Sequence, residues 1–183
     1  MDQNRQHWNQ GHQKLHRALA ANDHQYSPGV LLEKAVEIFL AQHAMVHSGK
    51  LVLSEVEGMA KTNIWSFEDE VLDGMAEDQI RCIPPKSEHS VAWILFHLAR
   101  IEDITMNMLV AGTPQLFVRD NWADKLHVKI LHSANSMDDR GIATLSAQVD
   151  VDALQTYRQL VGRRTREIVK KLRPEELKQK ANP

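Results

Sequence analysis

The sequence predicts an all-α fold, and three observations carry the prediction. Apolar residues recur at three- and four-residue intervals rather than in alternation. Only eight glycines punctuate 183 residues, too few for the dense turns of an all-β domain. Ser or Asp caps precede several amphipathic stretches. Four of these stretches are long, which makes a four-helix bundle the natural architecture, with short helices between them.

The first helix is expected over Asn4 to Ala21, where Trp8, His12, Leu15 and Leu19 keep helical spacing. Asn22-Asp23 and then Ser27-Pro28-Gly29 stop it. A long core helix follows from Val30 to about Leu53, its face formed by Leu32, Val36, Phe39, Leu40, His43, Val46, His47 and Leu51. Gly58 and Thr62-Asn63 break the period, and Ser66-Phe67-Glu68-Asp69 resembles a capping box. One shorter helix is expected from Phe67 to about Ile80, closed by Cys82-Ile83-Pro84-Pro85. Ser87 or Ser90 opens the central helix, SVAWILFHLARIEDITMNMLVAG, which ends at Gly112-Thr113-Pro114. Asp120 is placed to cap a short helix through Leu126, and Ser136-Met137-Asp138-Asp139 another reaching about Gln148. Asp150 caps the last long helix, from Val151 to about Gln179, in which Leu154, Tyr157, Val161, Thr165, Ile168 and Leu172 share a face. No repeat or linker divides the chain, so residues 1–183 read as one domain, with 1–29 an N-terminal helix and linker and 173–183 a polar tail.

The balance of 22 Lys+Arg against 24 Asp+Glu, a formal net charge of -2, argues against a nucleic-acid partner. Cys82 is the only cysteine, which excludes an intramolecular disulfide framework and any cysteine-rich zinc or iron–sulfur site. No apolar run is long enough to span a membrane, and MDQNRQHWNQ carries no signal segment, so a cytoplasmic protein without a membrane partner is expected.

Ten histidines are the chemically informative residues. His43 and His47 lie about 40° apart on the apolar face of their helix, and His97 lies within about 60° of Trp93, Ile94, Ile101, Ile104 and Met108 on the central one. All three are expected to point inward. Two helices thereby offer His-x-x-x-His and a third imidazole, a ligand set that suits a divalent metal, zinc or nickel, with an open position. The competing reading makes them core histidines, each bonded to a carbonyl or hydroxyl. His7, His12, His16 and His24 are expected at the surface. Glu102 and Asp103 project to either side of His97 and are better suited to pairing with Arg158 or Arg164 than to holding metal. RRTREIVKKLR, from Arg163 to Arg173, is expected to be a solvated helix face, and Cys82 an inert packing residue.

The stretch SVAWILFHLARIEDITMN, from Ser90 to Asn107, resembles a motif of the DinB-like (DinB/YfiT) superfamily: Ser, an apolar run with Trp, then His-Leu-x-x-x-Glu. Looser similarity runs from Phe39-Leu40-Ala41-Gln42-His43-Ala44 through Pro84-Pro85 to Tyr157-Arg158 and Arg164-Thr165. The resemblance implies a four-helix bundle with a long crossover, frequent dimerisation, and a divalent metal, often zinc or nickel, held by three histidines. It matches His97 to one ligand. The family's other two histidines stand on a final helix as His-x-x-x-His, whereas the last long helix here has none. Either this is a shortened form, or His43 and His47 replace the missing pair.

The leading expectation is a metal-dependent thiol transferase or hydrolase of small molecules, acting on a substrate or a low-molecular-weight thiol. Its metal would sit on His97, His47 and His43, with Arg100 and Asn107 orienting the substrate. The alternative is a non-catalytic helical dimerisation or interaction module. A homodimer fits either.

Overall fold

The computed structural model describes residues 3–20, 27–48 and 65–178. The breaks expected at Asn22-Asp23, Gly58 and Thr62-Asn63, the positions Leu51 to Leu53, His24 and the end of the polar tail lie outside the described residues, as do the side chains of Trp8, Leu15, His16 and Leu19. All described secondary structure is helical: α1 (Gln3–Ala20), α2 (Pro28–Val46), α3 (Phe67–Leu72), α4 (Glu77–Arg81), α5 (Val91–Asp103) running into a π-helical segment (Ile104–Val110), α6 (Leu116–Arg119), α7 (Trp122–Lys125), α8 (Asp139–Gln148), α9 (Val151–Lys170) and a 3-10 turn (Glu176–Lys178). The chain divides into two compact units. One holds α1, α2, α3 to Val71 and α9 from Arg166; the other runs from Leu72 to Thr165.

In the first unit, Ser27 caps α2 by accepting from the Val30 amide at 3.5 Å, and Pro28 supplies the pre-set φ of the first turn. Glycine at position 11 lets α1 lie close against α2, because a Cβ there would run into the Gln42 amide. α2 ends at Val46 rather than near Leu53. His47 is already extended, and the Ser48 hydroxyl donates to Asp69 Oδ1 at 2.9 Å, tying the departing chain to α3. Ser66 begins α3 by accepting from the Asp69 amide at 3.0 Å, as the capping sequence implied. Arg166 departs from the expected solvated face: it is buried, and its Nη1 donates to the Leu40 carbonyl at 2.7 Å.

In the second unit, the single helix expected over Phe67 to Ile80 is broken, because Gly74 takes a left-handed φ of 71° and α4 restarts at Glu77. Arg81 Nη1 donates to the Ser146 and Ala147 carbonyls at the end of α8, at 3.1 and 3.0 Å. Cys82 is exposed rather than packed. The core gathers Phe96, Ala99, Phe117, Leu126, Val149, Leu154, Tyr157 and Val161. α9 starts at the Asp150 cap, whose carboxylate accepts from the Ala153 amide at 2.8 Å, and it stops at Lys170, short of Gln179, ahead of Arg173-Pro174.

α5 buries a different face from the one its apolar residues suggested. Ala92, Trp93, Leu95, Phe96, Ala99, Arg100 and Asp103 are inside, while Ile94, Leu98, Ile101 and Met108 are 42–47% exposed. The helix is apolar nearly all round, so periodicity does not select a face. The decision falls to Arg100 and Asp103, which are buried where they find partners. Asp103 Oδ1 and Oδ2 accept from the Leu116 and Phe117 amides at 2.9 and 2.8 Å, so a carboxylate thirteen residues upstream caps α6, a helix the sequence did not announce. Asp120 does not cap α7; its carboxylate holds Arg119 through two bonds of 2.7 Å, and Asn121 enters α7 at a left-handed φ of 53°.

Candidate metal centre

The last turn of α2 places two imidazoles on its inner side. His43 and His47 are both buried, one helical turn apart, with ring centroids separated by 5.1 Å. His43 also stacks on Phe39 at 5.6 Å. This inward placement follows from the apolar positions Leu32, Ala35 and Phe39, which share the face, and from the abrupt end of α2. His47 is the capping residue, and its backbone amide closes the helix on the His43 carbonyl at 3.1 Å.

On α5, Glu102 is half-buried and its Oε1 accepts from the Thr165 hydroxyl of α9 at 2.6 Å. The two α2 histidines belong to the first unit, and Glu102 and His97 to the second. Sequence reasoning discounted Glu102 because angular position on the helix set it away from His97, although it is the glutamate of His-Leu-x-x-x-Glu. Arg164 Nε donates to Asn107 Oδ1 at 3.2 Å.

His97 is half-buried. Its ring stacks on Trp93 with centroids 4.7 Å apart, and Trp93 in turn meets His89 at 3.8 Å. Nδ1 lies 2.6 Å from the Ser133 carbonyl, which can only accept, so this nitrogen carries a proton and donates. That second-sphere bond is the kind that orients a ligating imidazole.

Arg100 and Asn107, expected to orient substrate, are buried. Arg100 Nη2 donates to Gln115 Oε1 and to the Leu131 carbonyl, both at 2.7 Å, and Nη1 to the Tyr157 hydroxyl at 3.1 Å; the guanidinium lies 3.9 Å over the Phe117 ring. Asn107 Nδ2 donates to Asp103 Oδ1 at 2.8 Å. Asp103 also accepts from Tyr157 at 2.6 Å, and burial, reinforced by the Asp103 charge, pushes the Tyr157 phenol far above its ordinary range. The π-helical segment places Asn107 in this network; such segments often mark functional sites.

Residues 68–183 match the model of the DinB superfamily. The chain belongs to the DinB superfamily. The match takes in the α5 motif with His97 and Glu102 and all of α9, while His43 and His47 stand upstream of it. No curated protein matches the chain. Among the described residues, no helix is long and apolar enough to cross a membrane.

The donor chemistry fits a divalent ion. Two imidazoles one helical turn apart are nitrogen donors that suit zinc and other first-row divalent ions.

Proposed function

We propose that this DinB-superfamily protein binds one divalent metal, zinc or nickel, with His43 and His47 among its ligands, and uses it in thiol transfer or hydrolysis of a small molecule. The supporting observation is the buried imidazole pair on one turn of α2, at the spacing the family uses for two of its ligands. His43 and His47 would each bind through an unprotonated imidazole nitrogen. The bound ion would supply Lewis acidity that makes a thiol or water nucleophilic at neutral pH. His97 is the histidine that the superfamily motif assigns.

Elemental analysis after dialysis against metal-free buffer tests the proposal, with wild type beside His43→Ala, His47→Ala, Glu102→Gln and His97→Ala. About one equivalent of metal per chain is expected in the wild type, with loss in both α2 histidine variants. A folded wild type without metal, or a His43→Ala/His47→Ala double variant that retains it, would overturn the reading.

A second reading is favoured by the exposed row Ile94, Leu98 and Ile101 on α5, continued by Met108 in the π-helical segment: association with a second copy of the chain through that face. Sedimentation velocity on the wild type and Leu98→Glu should show a dimer converted to monomer; a monomeric wild type excludes it.

A further inference from the structure

We infer a second binding site, independent of the metal reading, for a small amphipathic carboxylate in the cavity between α8 and the segment after α7. The cavity encloses about 340 Å³, within the range of small-ligand pockets. Its walls are Val128, Ile130, Met137 and Leu145, of which Val128 and Leu145 belong to the buried core. Glycine at position 141 keeps the Met137 wall where it is, because a Cβ would come to 3.0 Å from Met137 Cε.

The rim carries the specificity. Lys129 and Arg140 are both exposed and line the mouth, and neither side chain has an ion pair or hydrogen bond among the described residues. Asp138, the acid on the same rim, already caps α8 by accepting from the Gly141 amide at 2.8 Å. An apolar recess beneath two unengaged cations fits an aliphatic or aromatic body bearing one carboxylate. A neutral or cationic ligand of the same shape gains nothing from the rim.

Octanoate is a suitable probe, read by amide chemical shifts of the isotope-labelled full chain. Saturable shifts are expected at Val128 to Ile130 and at Gly141, with octan-1-ol binding about tenfold more weakly. The surface double variant Lys129→Glu/Arg140→Glu should lower octanoate affinity by about tenfold or more, with the circular dichroism spectrum unchanged. Thr144→Trp, an exposed α8 position that fills the cavity, should abolish the shifts while leaving both cations in place. Absence of saturable shifts, equal affinity for octan-1-ol, or an unaltered double variant would each overturn the assignment.

Discussion

Asp103 has no exposed surface, yet its two oxygens accept from Arg100, Asn107, Tyr157 and the Leu116 and Phe117 amides. Removing the carboxylate leaves the buried Arg100 guanidinium without its counter-charge and α6 without its cap. Asp103→Ala should therefore cost about 3–5 kcal/mol in urea unfolding. Tyr157→Phe removes one donor and should cost about 1–3 kcal/mol. The same phenol predicts an alkaline limit. Its proton is retained in the fold because burial, chiefly, and the Asp103 charge oppose ionisation. The stability it contributes is complete below the ordinary phenol pKa of about 10 and is lost above it, as only the unfolded chain releases the proton. Native absorbance titration should show no tyrosinate from Tyr157 before unfolding, and Tyr157→Phe should flatten the loss of stability above that pH. The sequence suggested Arg158 or Arg164 as partners for Glu102 and Asp103, and Asp103 takes Arg100 of its own helix. Helical spacing identifies which residues face inward but not which of several basic groups meets a given oxygen.

At the scale of elements, helix starts were legible because a cap acts within three residues. Ser27, Ser66, Ser90, Asp138 and Asp150 all accept from the amide three residues on. Ser90 is the strongest case. It accepts from the Trp93 amide at 3.0 Å and donates to Ser146 Oγ at 2.7 Å, since the Ser146 proton goes to the Ile142 carbonyl. Ser90→Ala should lower stability by about 1–2 kcal/mol, whereas Ser27→Ala, with its 3.5 Å bond, should cost a few tenths; chemical denaturation distinguishes them. Gly112, at a φ of 62°, ends the π-helical segment, and Gly112→Ala should cost about 1 kcal/mol. Helix ends were less legible. α2 stops at His47 through a side-chain bond from Ser48 to Asp69, 21 residues away, which no local signal announces.

At the scale of the whole molecule, a ligand that binds only the folded chain raises its stability in proportion to the logarithm of its concentration over Kd. Zinc at 100 times Kd should raise the unfolding midpoint by an amount equivalent to about 2.7 kcal/mol, read by calorimetry, and His47→Ala should abolish the shift. The superfamily match covers α5 to α9, so the motif with His97 and Glu102 was readable as family sequence, whereas His43 and His47 were readable only as a helical pair facing a core. The sequence by itself determined the helical class, most helix starts, the inward-facing histidine pair and the superfamily, because each depends on residue type and spacing within a few turns. Only the tertiary structure decided that α5 buries Arg100 and Asp103 rather than Ile94 and Ile101, and that Asp103 caps α6. The physical reason is that a buried polar group is stable only where its partners converge, and those partners come from segments distant in sequence.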